Sequence, residues 1–474
     1  MQNNYTLMTD FYELTMAQSY FNSDQKNRIV YFDGFFRKLP FNNSYAIMGG
    51  VDNIIKYIKN LRFTEKDIEY LKSLNQFTDD FLDYLKNFKF NGTIKMIPDG
   101  TCVFPNEPLI TVRANIIEAQ IIETAVLAYL NACIKFTTSA KMITEAAKGK
   151  AVMEFGSRRA DGPDASILAS KCSIIGGCVG TSNVMAAKEY GIKVMGTIAH
   201  SFISSEQREY DAFMKYAKAY PNNAVFLVDT YDTLKSGIPN AIRVAKDFLV
   251  PNGYEFKGIR IDSGDLEYLS KQARIMLDEA GFKNTKICLS NGLNVDSINS
   301  LLEKNTPVDS FGIGDNISSP KERVGVVYKL VAIEENKKII PKIKISGDPL
   351  KTVNPGYKKI YRIYDENNGV AIRDIITCHD EIFKNENIKE LQQIIFDNGK
   401  LVYDDPLIYE KQDYCNYSFK TLPDSIKKNG NDKKYNVDLS NKLEETKKQL
   451  IKERKYNNGG IVWTIWNELS LIIY

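Results

Sequence analysis

Histidine is almost missing from this chain: 474 residues contain two, His200 and His379. Any imidazole chemistry must come from one of them. Cysteine is sparse and dispersed, with seven thiols at 102, 133, 172, 178, 288, 378 and 415 and no C-x-x-C pair. That pattern argues against a zinc site and predicts buried free thiols in a reducing cytoplasm. There is no run of ~20 apolar residues, so no membrane-spanning helix is expected. The N-terminal MQNNYTLMTDFYEL lacks a basic stretch followed by an apolar one, which argues against a signal peptide. An excess of either charge is lacking too: 62 basic residues face 59 acidic ones, for a net charge of +3. Composition therefore gives no case for nucleic-acid or membrane partners, and any anion site must be local.

What is present is an ordinary globular balance, 43% apolar and 26% charged, in a chain long enough for two or three domains. Residues 1–130 mix short helices and strands: Leu7 to Tyr20 reads as helical, and Ile94–Met96 and Leu109–Val112 as strands. From about residue 150 a strand–loop–helix pattern repeats. The strands are Ala151–Phe155, Ile192–Gly196, Ala224–Asp229, Gly258–Ile261, Thr285–Leu289 and Ser310–Ile313. Helices are expected between them, at Pro163–Ser173, Ser204–Tyr220, Pro239–Leu249, Asp265–Ala280 and Val295–Glu303. Short apolar strands alternating with helices predict parallel βα units. The fold class is therefore α/β: an irregular parallel β/α barrel at 131–324, with a doubly wound open sheet as the alternative. An N-terminal mixed α+β domain occupies 1–130, joined by strands from 325–400. A helical C-terminal extension fills 401–474, including a helix at Asn441–Lys455. The apolar tail 460–474 gives no functional reading.

In a parallel β/α barrel, reactive groups gather where strands end, and the unusual residues fall there. Glu154-Phe-Gly-Ser-Arg-Arg159 offers two arginines for carboxylate or phosphate and a ring for stacking. Gly196-Thr-Ile-Ala-His-Ser201 places a histidine beside hydroxyls. Arg260-Ile-Asp-Ser-Gly-Asp265 is the most informative segment. Ser263 or Asp262 can cap the following helix, whose free N–H groups suit a phosphate, and two carboxylates could hold ribose hydroxyls or Mg²⁺. Ser290-Asn-Gly-Leu-Asn294 and Phe311-Gly-Ile-Gly-Asp315 supply glycines that let backbone amides approach a phosphate. Each has a plain structural reading as a capped turn, a surface pair or a packed ring. His379, outside the barrel, reads as a packing residue. Their common placement at strand ends points to phosphosugar or nucleotide chemistry without naming a substrate.

Taken in order, these segments resemble the nicotinate phosphoribosyltransferase family. The resemblance covers nearly the whole chain: Leu7-Met-Thr-Asp-Phe-Tyr-Glu-Leu-Thr-Met16, Phe155-Gly-Ser-Arg-Arg-Ala160, Gly177-Cys-Val-Gly-Thr-Ser-Asn183, the histidine and Arg260 segments, Asn354-Pro-Gly356 and Val437-Asp-Leu-Ser440. It implies a cytoplasmic, homodimeric enzyme of NAD salvage. Such an enzyme joins nicotinate to phosphoribosyl pyrophosphate with ATP as co-substrate and Mg²⁺ as cofactor. It further implies that His200 is phosphorylated by ATP, and that Asp262 and Asp265 are catalytic and meet Mg²⁺, directly or through water. By the same resemblance Tyr12 of the partner subunit closes over the pyridine ring. Phe155, Arg158, Thr197, Ser182, Ser201 and Arg260 surround nicotinate. Ser263, Gly264, Ser290, Asn291, Gly312 and Gly314 meet the phosphoribosyl end. Asp315 departs from the threonine found in many relatives, and a carboxylate there would repel a phosphate.

Three other readings are open. A nicotinamide phosphoribosyltransferase would carry an aspartate at Ser182, quinolinate transfer would ask for a more basic pocket, and a non-catalytic nucleotide sensor on the same fold would not need a phosphorylatable histidine. A lysine-dependent aldolase lacks an isolated lysine at a strand end.

Overall fold

The structure, a computed structural model, describes residues 4–346, 352–383, 387–428 and 434–457. The tail 460–474 lies outside the described residues. The described residues fall into two compact units, one drawn from 4–134, 323–406 and 417–457, the other from 135–322 and 407–416.

The first unit is built on antiparallel sheet. Ile29–Phe35 lies between Val327–Glu335 and Ile110–Asn115, within a seven-stranded sheet ordered Lys338–Pro341, Val327–Glu335, Ile29–Phe35, Ile110–Asn115, Thr93–Met96, Gln393–Asp397, Lys400–Leu401. A four-stranded sheet, Ile388–Glu390, Lys358–Tyr364, Ala371–Cys378 and Val437–Leu439, accompanies it. The expected N-terminal helix is Phe11–Phe21, and the C-terminal one is Asn441–Asn457. Two buried cations of this unit are paired with acids. Lys358 Nζ lies 2.8 Å from Asp33, and Arg362 grips Asp374 through two bonds of 2.8 and 2.7 Å. A fully buried charge is tolerable only with such partners. Glu107, buried beside the Asp374 carboxylate, is pushed well above the carboxylate range by burial first and by Asp374 second.

The second unit carries six parallel strands in the order Gly180–Thr181, Ala151–Glu154, Ser310–Ile313, Lys286–Leu289, Gly258–Ile261, Val225–Leu227. Ile259, Ile261, Ile287, Leu289, Phe311 and Ile313 are all fully buried, as expected where helices cover both faces of a parallel sheet. Polar side chains are thereby confined to the strand ends.

Three expectations need correcting. Ile192–Gly196 is not a strand: a single parallel bridge joins Thr181 to Val194, and Val194 is 53% exposed, so that segment has no covered face to hold it in the sheet. The helix expected at Ser204–Tyr220 is two helices, His200–Ser204 and Glu209–Ala219, so His200 opens a helix rather than preceding one. The helix after Arg260 begins at Leu266, and its cap is Asp265, whose carboxylate accepts the Tyr268 N–H at 3.0 Å. Asp262 and Ser263 lie too early in the chain to cap it.

Candidate active site

The parallel strand ends enclose a cavity of about 420 Å³ within the second unit. Its wall contains Phe155, Arg158, Ser182, Thr197, His200, Arg260, Asp262, Ser290, Asn291, Gly312 and Gly314. Eleven of the residues singled out in the sequence therefore meet in one hollow. The wall holds three arginines (158, 159 and 260) and two aspartates (262 and 315). That leaves an excess of one positive charge with His200 neutral, which suits an anionic ligand.

Arg260 organises the centre. It rises from Gly258–Ile261, and its side chain is only 14% exposed. Nη2 donates to Asp262 Oδ1 at 2.9 Å, Nε to Ser290 Oγ at 2.8 Å, and Nη1 to Thr197 Oγ1 at 3.3 Å. Its guanidinium carbon lies 5.5 Å from the centre of the Phe155 ring. A fork committed on three edges has lost its rotamer freedom, so its orientation is set before any ligand arrives. Ser290 in turn donates to Asp262 Oδ1 at 2.5 Å.

His200 Nε2 lies 3.8 Å from Asp262 Oδ2, and Nδ1 is 3.1 Å from Thr230 Oγ1. The ring is thus held at one nitrogen by a hydroxyl, with the other facing a carboxylate and the cavity. Phe155 is seated over Gly312, where an added Cβ would come within 2.6 Å of the ring. Asn291 adopts a φ of 108°, a left-handed conformation that is strained for a side chain with a Cβ.

Five anticipated residues are not in this wall. Ser263, Gly264 and Asp265 are exposed. Ser263 donates to Asp229 at 2.5 Å, and Asp265 fills the helix N-terminus that had been expected to receive phosphate. Ser201 is exposed on the helix His200–Ser204. Tyr12 belongs to the first unit, where it is 46% exposed on Phe11–Phe21.

Arg159 is the second of the two arginines anticipated in the 154–159 segment, whereas Thr230 and Asp229 were not foreseen. Arg159 lines the cavity and lies 3.5 Å from Asp315, which shows how an acid is accommodated in the glycine loop: it faces an arginine. Thr230 orients His200, and Asp229 keeps Oδ1 buried without a hydrogen-bond partner. Val-Asp-Thr at 228–230 directly follows the strand Val225–Leu227, so the strand-end rule applied to Arg260 would have found it.

Residues 7–131, 150–400 and 381–447 match, in turn, the N-terminal domain, the family description and the C-terminal domain of nicotinate phosphoribosyltransferase (NAPRTase). The chain belongs to the nicotinate phosphoribosyltransferase family. It is 39% identical over 472 residues to the nicotinate phosphoribosyltransferase of Bacillus subtilis (strain 168), covering 95% of this chain and 96% of that one. The protein of the same name from Caenorhabditis elegans is 32% identical, over 92% of each chain. The crystal structure of human nicotinic acid phosphoribosyltransferase superposes with a TM-score of 0.84 at 25% identity, covering 93% of this chain and 99% of that one. A nicotinate-nucleotide pyrophosphorylase from Pyrococcus furiosus, at 23% identity and a TM-score of 0.71, shares the fold. The α/β architecture read from the alternating strands and helices is that of the family.

Proposed function

We propose that this cavity carries out ATP-assisted transfer of a phosphoribosyl group from phosphoribosyl pyrophosphate to nicotinate, giving nicotinate mononucleotide in NAD salvage. The observation that carries the reading is the Arg260 hub, which joins an aromatic face, an acid and two hydroxyls beside the histidine.

Nicotinate is flat and anionic. Phe155 offers it a stacking face, and Arg260, Arg158 and Thr197 offer donors for its carboxylate. Ser182, a neutral residue in the same wall, does not oppose a carboxylate as an aspartate would, and this favours the acid over the amide. The pyridine nitrogen attacks the anomeric carbon as the C–O bond to pyrophosphate breaks. Positive charge builds on the ribose, and Asp262 is the carboxylate placed to stabilise it. Gly312 and Gly314 leave room for backbone amides to approach phosphate oxygens, with Ser290 and Asn291 opposite. In the same reading Ser201, Ser263, Gly264 and Asp265 act from just outside the cavity wall.

The donor chemistry fits Mg²⁺, which is commonly held by one or two carboxylates together with substrate phosphates. Asp262 would hold it, and Asp265 would contribute the oxygen not used in capping. The ion supplies charge neutralisation at the leaving pyrophosphate. His200 is the nitrogen nucleophile for the ATP-derived phosphoryl group. The added negative charge would then draw Arg158 and Arg159 inward.

A second copy would cover the start of Phe11–Phe21 and the residues before it, where Met8, Phe11 and Tyr12 are 47%, 52% and 46% exposed. Tyr12 of the partner subunit would then close the pyridine end. Seven free cysteines, six of them buried, suit a reducing cytoplasm.

Incubation with phosphoribosyl pyrophosphate, Mg²⁺ and either nicotinate or nicotinamide, with and without ATP, tests the reading. Nicotinate mononucleotide is the expected product, formed faster with ATP. Product from the amide alone would overturn it. His200→Ala should retain slow transfer but lose all dependence on ATP.

A further inference from the structure

Beside Phe155 stands a carboxylate that touches no part of the cavity. Glu154 ends the strand Ala151–Glu154 and is fully buried. Its Oε1 accepts the Gly156 N–H at 2.5 Å. Its Oε2 accepts the hydroxyls of Ser170 at 2.9 Å and Thr181 at 2.5 Å. Among the described residues no lysine, arginine or histidine forms an ion pair with it. A carboxylate removed from water and held only by neutral donors is costly to keep, and core packing would be served as well by an apolar side chain.

Two of its three partners, Gly156 and Thr181, lead to different walls of the pyridine end. Gly156 lies between Phe155 and Arg158 in the chain. A Cβ there would fall 1.6 Å from Ser318 Oγ and 2.7 Å from the Gly314 carbonyl, so Gly156 is pinned between the carboxylate and the glycine loop. Thr181 Oγ1, while donating to Glu154, accepts the Asn183 N–H at 3.0 Å. Ser182, between them, has its own N–H bonded to the Glu154 carbonyl at 2.9 Å. The segment bearing Phe155 and Arg158 and the segment bearing Ser182 are thus tied to the two ends of one side chain.

We propose that Glu154 is a positioning residue for nicotinate: it sets the separation of the aromatic–arginine wall from the Ser182 wall and so tunes the fit of the pyridine carboxylate. The proposal rests on the phosphoribosyl-transfer reading above and adds a residue to it. The phosphate end, made by residues 290–292 and 312–314, receives no bond from this side chain.

Three variants test it: Glu154→Ala, Glu154→Gln and Thr181→Val, with KM measured separately for nicotinate and phosphoribosyl pyrophosphate. Glu154→Ala should raise KM for nicotinate about tenfold or more and leave that for phosphoribosyl pyrophosphate within about threefold, since misplaced walls act on the group they contact. Glu154→Gln should restore KM for nicotinate to within about threefold, because its carbonyl can take the Gly156 N–H while its amide faces two rotatable hydroxyls. Thr181→Val, which cuts one tie only, should give an intermediate, nicotinate-selective rise and keeps the test open if the alanine variant does not fold. Equal rises in both KM values, or no rescue by glutamine, would overturn the positioning role. A wild-type protein that makes no nicotinate mononucleotide would instead refute the underlying reaction.

Discussion

Asp262 Oδ1 lies 2.5 Å from Ser290 Oγ and 2.9 Å from Arg260 Nη2, so a single oxygen joins the ends of two neighbouring parallel strands. Ser290 is 3% exposed and also accepts from Arg260 Nε. Ser290→Ala would therefore strand a largely buried guanidinium edge and remove a donor from the carboxylate. The expected loss is ~1.5–3 kcal/mol of transition-state stabilisation, roughly a 10- to 100-fold fall in kcat/KM. Steady-state kinetics check this, and an unchanged kcat/KM would show that the triangle is not used in the reaction.

Gly312 makes room for a ring on the side where a Cβ would project, away from its backbone amide. Its Cα faces Phe155 so closely that a methyl would sit 2.6 Å from the ring. Its φ does not fall in the left-handed region, so Gly312→Ala tests sterics without adding backbone strain. Phe155 must tilt, and KM for nicotinate should rise about tenfold while KM for phosphoribosyl pyrophosphate stays nearly constant. A matching rise in both would mean that the whole loop has moved.

Asp315 and Arg159 are 61% and 59% exposed and 3.5 Å apart. Such a pair contributes ~0–1 kcal/mol to stability, so Asp315→Asn should leave the unfolding midpoint nearly unchanged. The substitution also removes a negative charge from the wall that is proposed to receive phosphate. KM for phosphoribosyl pyrophosphate should fall about two- to fivefold, less at high salt. If KM rises instead, and the Mg²⁺ requirement rises with it, Asp315 is a metal ligand.

The strand-end residues were legible because burial on both faces leaves few places for polar side chains. Arg260, Asp262 and Ser290 stood out against apolar strands, His200 stood out by its rarity, and all four meet in one cavity. What escaped notice was set by contacts distant in sequence. Glu154 reads as a strand residue until Ser170 and Thr181 are seen on its carboxylate. Asp265 read as a metal or phosphate group from its carboxylate alone; that it also caps the helix beginning at Leu266 depends on a helix start one residue later than the expected one. Ile192–Gly196 has the β-branched composition of a strand but only a bridge at the sheet edge, since composition does not report how much of a partner strand is available.

Glu13 is a fully buried acid on Phe11–Phe21, next to Tyr12. One oxygen accepts from Thr9 Oγ1 and the other from Thr124 Oγ1 at 2.6 Å. Burial pushes its pKa up to about 7; the two hydroxyls oppose the shift in part, and the charges of Glu123 and Asp10 add to it. The folded state therefore holds this proton more tightly than the unfolded chain, where the group titrates near 4.5. Its contribution is most favourable below pH 4.5 and is lost as pH rises toward 7, beyond which it no longer changes. After allowance for solvent screening the loss is ~1–2 kcal/mol. Glu13→Gln keeps the shape and the hydroxyl contacts but cannot ionise. Its denaturation midpoint should match that of the wild type at pH 5 and exceed it at pH 8. If both proteins lose stability equally between pH 5 and pH 8, the titrating group is not Glu13, and Glu123, raised by the same burial, becomes the residue to replace.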